Sequence, residues 1–219
     1  SVMAEYTLYC FSESGNAYKV ALMLELCKAD WEPVRVAFFS GETRKEAFRG
    51  LNVMGEVPVL VHHRQDGDFT ITQSGAILTY LARRLGKFGP DTEAEEFEVM
   101  RWLLFDSQKI SGQAGVLRFL RRFLKKGESE DVTFLHARTV SALNILEARL
   151  TGRDWIAADR PTIADFALCA YLYWPEQIGV DYATLPNLSA WLERIRALPG
   201  WSRSEDLMPS GMDEQTLTA

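Results

Sequence analysis

Apolar residues along the chain change period several times, and each change marks an element. Tyr6-Thr7-Leu8-Tyr9-Cys10-Phe11 is a β-prone run that stops at Ser12-Glu13-Ser14-Gly15-Asn16. After it Val20, Met23, Leu24 and Cys27 recur at helical spacing. Val34, Val36 and Phe38 alternate as a second strand, and Thr43 to Leu51 can make a short helix. Val57 to Val61 is short, apolar and rich in β-branched residues. Asp66-Gly67 then supplies a tight turn, Phe69 and Ile71 alternate with Thr70 and Thr72, and Ala76 to Leu81 begins another helix. The order is βαβ followed by ββα, an α/β domain whose first crossover joins parallel strands and is therefore right-handed.

The remainder has helical periodicity throughout. Leu85-Gly86-Lys87-Phe88-Gly89-Pro90 places two glycines and a proline between two periodic segments, so the boundary is expected there. The expected domains are 1–85, a linker 86–91, and an all-α domain 92–219. Thr92-x-x-Glu95 is a capping-box pattern before a helix carrying Phe97, Met100, Leu104 and Phe105, and Thr162-Ile163-Ala164-Asp165 is a second one. Val140, Leu143 and Leu150 mark a further helix, and Pro186 starts a last one through Leu188, Trp191 and Ile195. The tail from Ser202 is polar, with Pro209 and Gly211, and is expected to pack loosely.

Composition narrows the classes. The 219 residues, 47% of them hydrophobic, can build one large or two small cores. Net charge is −6, which argues against nucleic acid as a partner; Arg118, Arg121, Arg122, Lys125 and Lys126 form a local basic run expected to be a solvated helix end. No apolar span approaches ~20 residues and no export signal pattern is visible, so neither a membrane nor export is expected. Cys10, Cys27 and Cys169 are widely spaced and, with His62, His63 and His136, show no metal-ligand spacing. A reducing, cytoplasmic setting without a metal is expected, with the histidines at the surface or at strand ends.

The hairpin carries the candidate chemistry. Pro58 cannot donate to a ladder, which leaves the main chain of Val57 available to an added extended peptide. Gln73-Ser74 leads into a helix start whose N–H groups suit an anion. A peptide-like ligand bearing a carboxylate fits both ends. At the first helix start, Ser14 and Asn16 are preferred caps and also potential donors.

Val57-Pro58, Gln73-Ser74 and the Thr162-x-x-Asp165 box together resemble the cytosolic glutathione transferase family, over roughly residues 5 to 200, with bacterial serine-class or Nu-like members nearest in wording. The resemblance implies a thioredoxin-like α/β N-terminal domain plus an all-α C-terminal domain, and a homodimer. Glutathione would be the co-substrate, its thiolate attacking an apolar small-molecule electrophile, or reducing a peroxide or disulfide. It implies that Val57, after which Pro58 is cis, binds the cysteinyl backbone, and that Gln73 and Ser74 hold the γ-glutamyl end. Ser14 falls on the thiol-contacting serine of the serine classes. Asn16 falls on the asparagine of the Nu-class Thr-Pro-Asn-Gly-x-Lys pattern. Asp106 lies about where the family supplies an acidic residue to the neighbouring subunit's glutathione. Where the tyrosine classes carry their tyrosine this chain has Cys10, and Glu56 stands where many members have Lys, Gln or His. Phe11, with some of Trp102, Phe105, Phe119 and Trp174, is expected to line the electrophile pocket. A glutathione-dependent isomerase or dehalogenase would share this first domain. A non-catalytic scaffold or stress regulator of the same fold is the alternative from another class.

Overall fold

The computed structural model describes residues 2–213. The chain divides into two compact units, one of Ser1–Lys87 with Pro199–Ala219 and one of Phe88–Leu198. The first unit's main segment ends at Lys87. The tail departs from expectation, because it belongs to the first unit and not to the helical one.

The first unit contains β1 (Tyr6–Cys10), α1 (Gly15–Leu26), β2 (Trp31–Arg35), α2 (Glu46–Leu51), β3 (Val59–Arg64), β4 (Gly67–Thr72) and α3 (Ser74–Leu85). The sheet order is β2-β1-β3-β4, with β1 and β2 parallel and the other pairs antiparallel, as a thioredoxin-like βαβ–ββα domain requires. The second strand comes earlier than Val34–Phe38. Tyr6 pairs with Trp31 and Cys10 with Arg35, after which Phe38 enters a 3₁₀ turn. Pro33 is accepted in β2 because that strand lies at the sheet edge. Phe11, Val36, Phe48 and Val59 form a small core over which Tyr9, Phe38 and Phe39 pack.

One histidine expectation also changes. His62 is buried, not surface, stacked on Tyr6 at 4.3 Å between ring centroids, with Nδ1 2.6 Å from the Tyr80 hydroxyl and Nε2 2.9 Å from Glu5. His136 meets the carbonyl of Gly179 at 2.9 Å.

The second unit holds α4 (Glu93–Phe105), α5 (Ser111–Arg118), α6 (Glu130–Arg149), α7 (Ile163–Cys169), α8 (Pro175–Ile178) and α9 (Pro186–Arg196), with π-helical turns at Asp106–Ile110 and Phe119–Phe123. Helix α7 is buried along its whole length and starts with a complete capping box. Asp165 also takes the N–H of Ile156 at 2.9 Å and Nε1 of Trp191 at 2.8 Å, tying α9 and the preceding loop to the same carboxylate. The Thr92 box is only half made: Thr92 accepts from Glu95 N–H, but the Glu95 side chain turns to Asp91 N–H and Arg160. Phe97, Met100 and Leu104 are exposed by 60%, 48% and 65%, so that stripe of α4 is not core. The basic run is likewise not uniformly solvated. Arg118 is buried, donates from Nε to Gln177 at 2.7 Å, and lies 3.9 Å above the Trp174 ring. An arginine can be buried this way because its guanidinium is weakly hydrated and stacks on aromatic faces.

Candidate functional site

Sheet register brings three loops to one end of the first unit. Val59, the first residue of β3, pairs with Tyr9 near the end of β1 and with Thr72 at the end of β4. The Phe11–Ser14 loop, the Val57-Pro58 segment and the Gln73-Ser74 turn must therefore meet there. Val57-Pro58 is a cis peptide, and because β3 begins only at Val59 the main chain of Val57 stands outside the ladder.

Ser14 caps α1, its Oγ accepting from Ala17 N–H at 3.1 Å, and it is 9% exposed. The capping role uses a lone pair of the hydroxyl and leaves its hydrogen to donate. One residue into the helix, Asn16 Oδ1 accepts from Lys19 Nζ at 2.8 Å and from Ser74 Oγ at 3.4 Å. The starts of α1 and α3 are thus joined through one amide. Lys19 is itself buried, and only the spacing Asn16-x-x-Lys19 hinted at it; burial of a lysine on the inner face of α1 is not what its polarity suggests.

Gln73 has φ 73° and ψ 116°, a backbone state that is costly for a residue with a Cβ and that concentrates at ligand sites. Its carbonyl accepts from Ile77 N–H at 2.9 Å and its Nε2 reaches Met54 Sδ at 3.0 Å. Ser74 is the first residue of α3, whose N-terminus carries partial positive charge. Glu56 is exposed, and its carbonyl takes Nδ2 of Asn52 at 2.8 Å.

Other candidates fall elsewhere. Cys10 is fully buried and burial pushes its thiol up to about 12, so it is no thiolate at neutral pH. Tyr6 faces His62, with its phenol also raised to about 12 by burial, and Tyr9 packs on the small core. Phe11 is buried beneath Phe38, 4.9 Å away, rather than lining open space. Asp106 belongs to the helical unit, where it is 3% exposed and accepts from Ser111 Oγ at 2.9 Å. Among the described residues no group of three or more His, Cys, Asp or Glu gathers as a metal site, and no helix is long and apolar enough to cross a membrane.

This sheet order with loops converging at a cis-Pro defines a thioredoxin-like protein with an appended helical unit. Residues 4–83 match the glutathione S-transferase N-terminal domain and residues 112–199 the C-terminal domain, so the chain belongs to the glutathione transferase family. It is 30% identical over 221 residues to glutathione S-transferase 2 of Schizosaccharomyces pombe, covering 90% of this chain and 93% of that one. It is 25% identical to a disulfide-bond oxidoreductase of Escherichia coli, over 86% of this chain and 89% of that one. A glutathione transferase of Burkholderia graminis, crystallised with two glutathione molecules per subunit, has 28% identity and a TM-score of 0.82, covering 93% of this chain and 88% of that one.

Proposed function

We propose that this protein is an enzyme that binds glutathione at the converging loops, ionises its thiol, and transfers it to an apolar electrophile. The observation that carries the reading is the Ser14–Asn16–Ser74 arrangement at the sheet end where the free main chain of Val57 also lies. Val57 would bond the cysteinyl unit as an added strand, and Gln73 and Ser74 the γ-glutamyl carboxylate at the α3 N-terminus.

The chemical task is ionisation. A free thiol with pKa about 8.5 is only a few per cent thiolate at neutral pH. A drop of about two units requires roughly 2.7 kcal/mol of preference for the anion. Ser14 O–H and Asn16 Nδ2 as donors, with the positive end of α1, together supply a preference of that order. Cys10 is buried with its thiol pushed up to about 12, which supports the sulfur of glutathione as the nucleophile. A second reading, reduction of a disulfide by the same thiolate, is favoured by Asn16, whose amide is aimed by Lys19.

The same reading makes the protein a cytoplasmic homodimer, supported by three free cysteines and by exposed apolar patches at Val53-Met54 and along Phe97, Met100 and Leu104. Retention on immobilised glutathione followed by conjugation of a general aromatic electrophile tests the enzyme. A protein that is retained and does not conjugate or reduce is a scaffold of the same fold. Sedimentation tests the dimer.

A further inference from the structure

The polar tail is built onto the loop that carries Ser14. Tyr18 donates its hydroxyl to Ser202 O at 2.7 Å, and α10 (Ser204–Leu207) follows, with Ser204 Oγ donating to Ser12 O at 2.5 Å. Ser12 N–H donates to Pro209 O at 2.9 Å, so both main-chain groups of Ser12 are held by the tail. Met208 is buried, and a Cβ at Gly211 would come within 2.9 Å of the Phe11 side chain, which only glycine avoids. Glu13 accepts from Ser210 Oγ at 2.7 Å and Ser12 Oγ at 3.2 Å on Oε2, and from Gly211 N–H at 2.7 Å on Oε1. From the edge strand, Arg35 donates through Nε to Ser210 O at 2.7 Å and through Nη2 to Met212 O at 3.1 Å.

We propose that residues 203–212 are a strap that sets the ionisation of bound glutathione, with Glu13 and Arg35 as its positioning residues. The proposal rests on the assignment of Ser14 as a thiol donor. Two physical effects act together. The strap fixes the Phe11–Ser14 loop from both sides of Ser12, and a donor works on a developing anion only while its position is preorganised. It also engages the carboxylate next to Ser14. A Glu13 side chain released from Ser210 and Gly211 is a like charge beside the thiolate and raises the thiol pKa, whereas one fixed to them is directed into the strap. Glu13 holds Ser210 and Gly211 while Arg35 holds Ser210 and Met212, so the two charged side chains meet the strap at the shared residue Ser210.

The test titrates glutathione bound to the full-length protein by its ultraviolet thiolate absorbance, alongside the pH–rate profile. Arg35→Ala with Ser210→Ala should raise the bound thiol pKa by about one unit and lower conjugation near neutral pH about tenfold, with the rate recovered at higher pH and glutathione affinity within about threefold. Adding Glu13→Gln should return the pKa most of the way. Faster proteolysis within 203–213 shows that the strap has been released. If the double variant does not fold, Gly211→Val, which pushes the strap off Phe11 without deleting any polar side chain, replaces it. A released strap with an unchanged thiol pKa, or a triple variant no better than the double, overturns the proposal. A wild-type protein that binds glutathione without any thiolate band refutes the Ser14 assignment instead.

Discussion

Lys19 donates its ammonium to Asn16 Oδ1 at 2.8 Å, and that one bond decides which end of the amide is left over. An ammonium has no acceptor, so Oδ1 must face it, and Nδ2 is the end free to meet a ligand. Asn16→Asp separates the two ends. Aspartate still accepts from Lys19 and Ser74, now with a charge, so thermal stability should hold or rise. The outward donor becomes an acceptor, and kcat/KM for conjugation should fall 10- to 100-fold, about 1.4–2.7 kcal/mol. Steady-state kinetics and a melting curve on the same sample check both halves.

Asp165 governs folding in the helical unit, and its pH dependence has a definite sign. Burial pushes its carboxyl up from 3.8 to about 6, against the N–H groups of Thr162 and Ile156 and the Trp191 indole that lower it. A raised folded pKa means that the native state holds the proton longer than the unfolded chain. Its contribution is fully present below the unfolded value and is lost as pH rises through about 6. Asp165→Ala lacks the group, so the stability gap from wild type should be widest below the unfolded pKa of 3.8 and narrow towards pH 7 by up to about 3 kcal/mol. At neutral pH the variant should still lose about 1–3 kcal/mol, because three donors are left without an acceptor. Denaturant unfolding across that range measures it. A gap constant with pH would show that the carboxylate titrates normally.

Much of this was legible in the sequence where the signal is local. The hairpin is visible at Asp66-Gly67, although its two-residue turn forms one position earlier, at Gln65-Asp66, with Gly67 already paired to Arg64 in β4; the capping box rests on Thr162 and Asp165 and the first helix on Ser14, and each is fixed by residues within a few positions of one another. What was not legible depends on partners distant in sequence. Phe97, Met100 and Leu104 have core spacing, yet tertiary packing, against α7 and Arg149 of α6 among others, makes Val99 and Trp102 the buried face of α4. Arg118 reads as one of five basic residues until Trp174 and Gln177, more than fifty positions on, come to cover it. The tail reads as loose because its apolar content is low; its order comes from polar bonds to Ser12, Glu13 and Arg35, which have no periodicity to detect. The site shows the same division. Val57-Pro58 and Gln73-Ser74 are visible as dipeptides, while the bond from Ser74 to Asn16 spans 58 positions.

Asp106 tests the reach of the family resemblance. Gln73 is neutral, so the ammonium of a γ-glutamyl group lacks an acid from its own loop and requires one from elsewhere. Asp106→Asn keeps an acceptor for Ser111 and removes the charge, so the π-helical turn should survive. Glutathione binding by calorimetry should weaken by about 1–3 kcal/mol with little change in melting temperature. Unaltered affinity would assign the carboxylate to the helix turn alone.

Ser14 and Asn16 divide the thiolate between them, and their geometry sets the order of effects. Ser14 Oγ is already held by Ala17 N–H, so its remaining hydrogen is preorganised at the start of α1, whereas the Asn16 amide is aimed through a lysine and shared with Ser74. The better-fixed donor should contribute more. Ser14→Ala is expected to raise the pKa of bound glutathione and to lower conjugation at neutral pH 10- to 100-fold, about 1.4–2.7 kcal/mol, with glutathione affinity nearly intact because Val57, Gln73 and Ser74 are untouched. The lost cap should appear separately as about 1 kcal/mol of stability, which Ser14→Gly largely recovers without restoring the hydroxyl. Asn16→Ala should shift the pH–rate profile less. If Asn16→Ala shifts it more, the amide is the principal donor and disulfide reduction becomes the activity to measure. If neither variant moves the profile, the thiolate is held by main-chain N–H groups alone and neither side chain has the role assigned here.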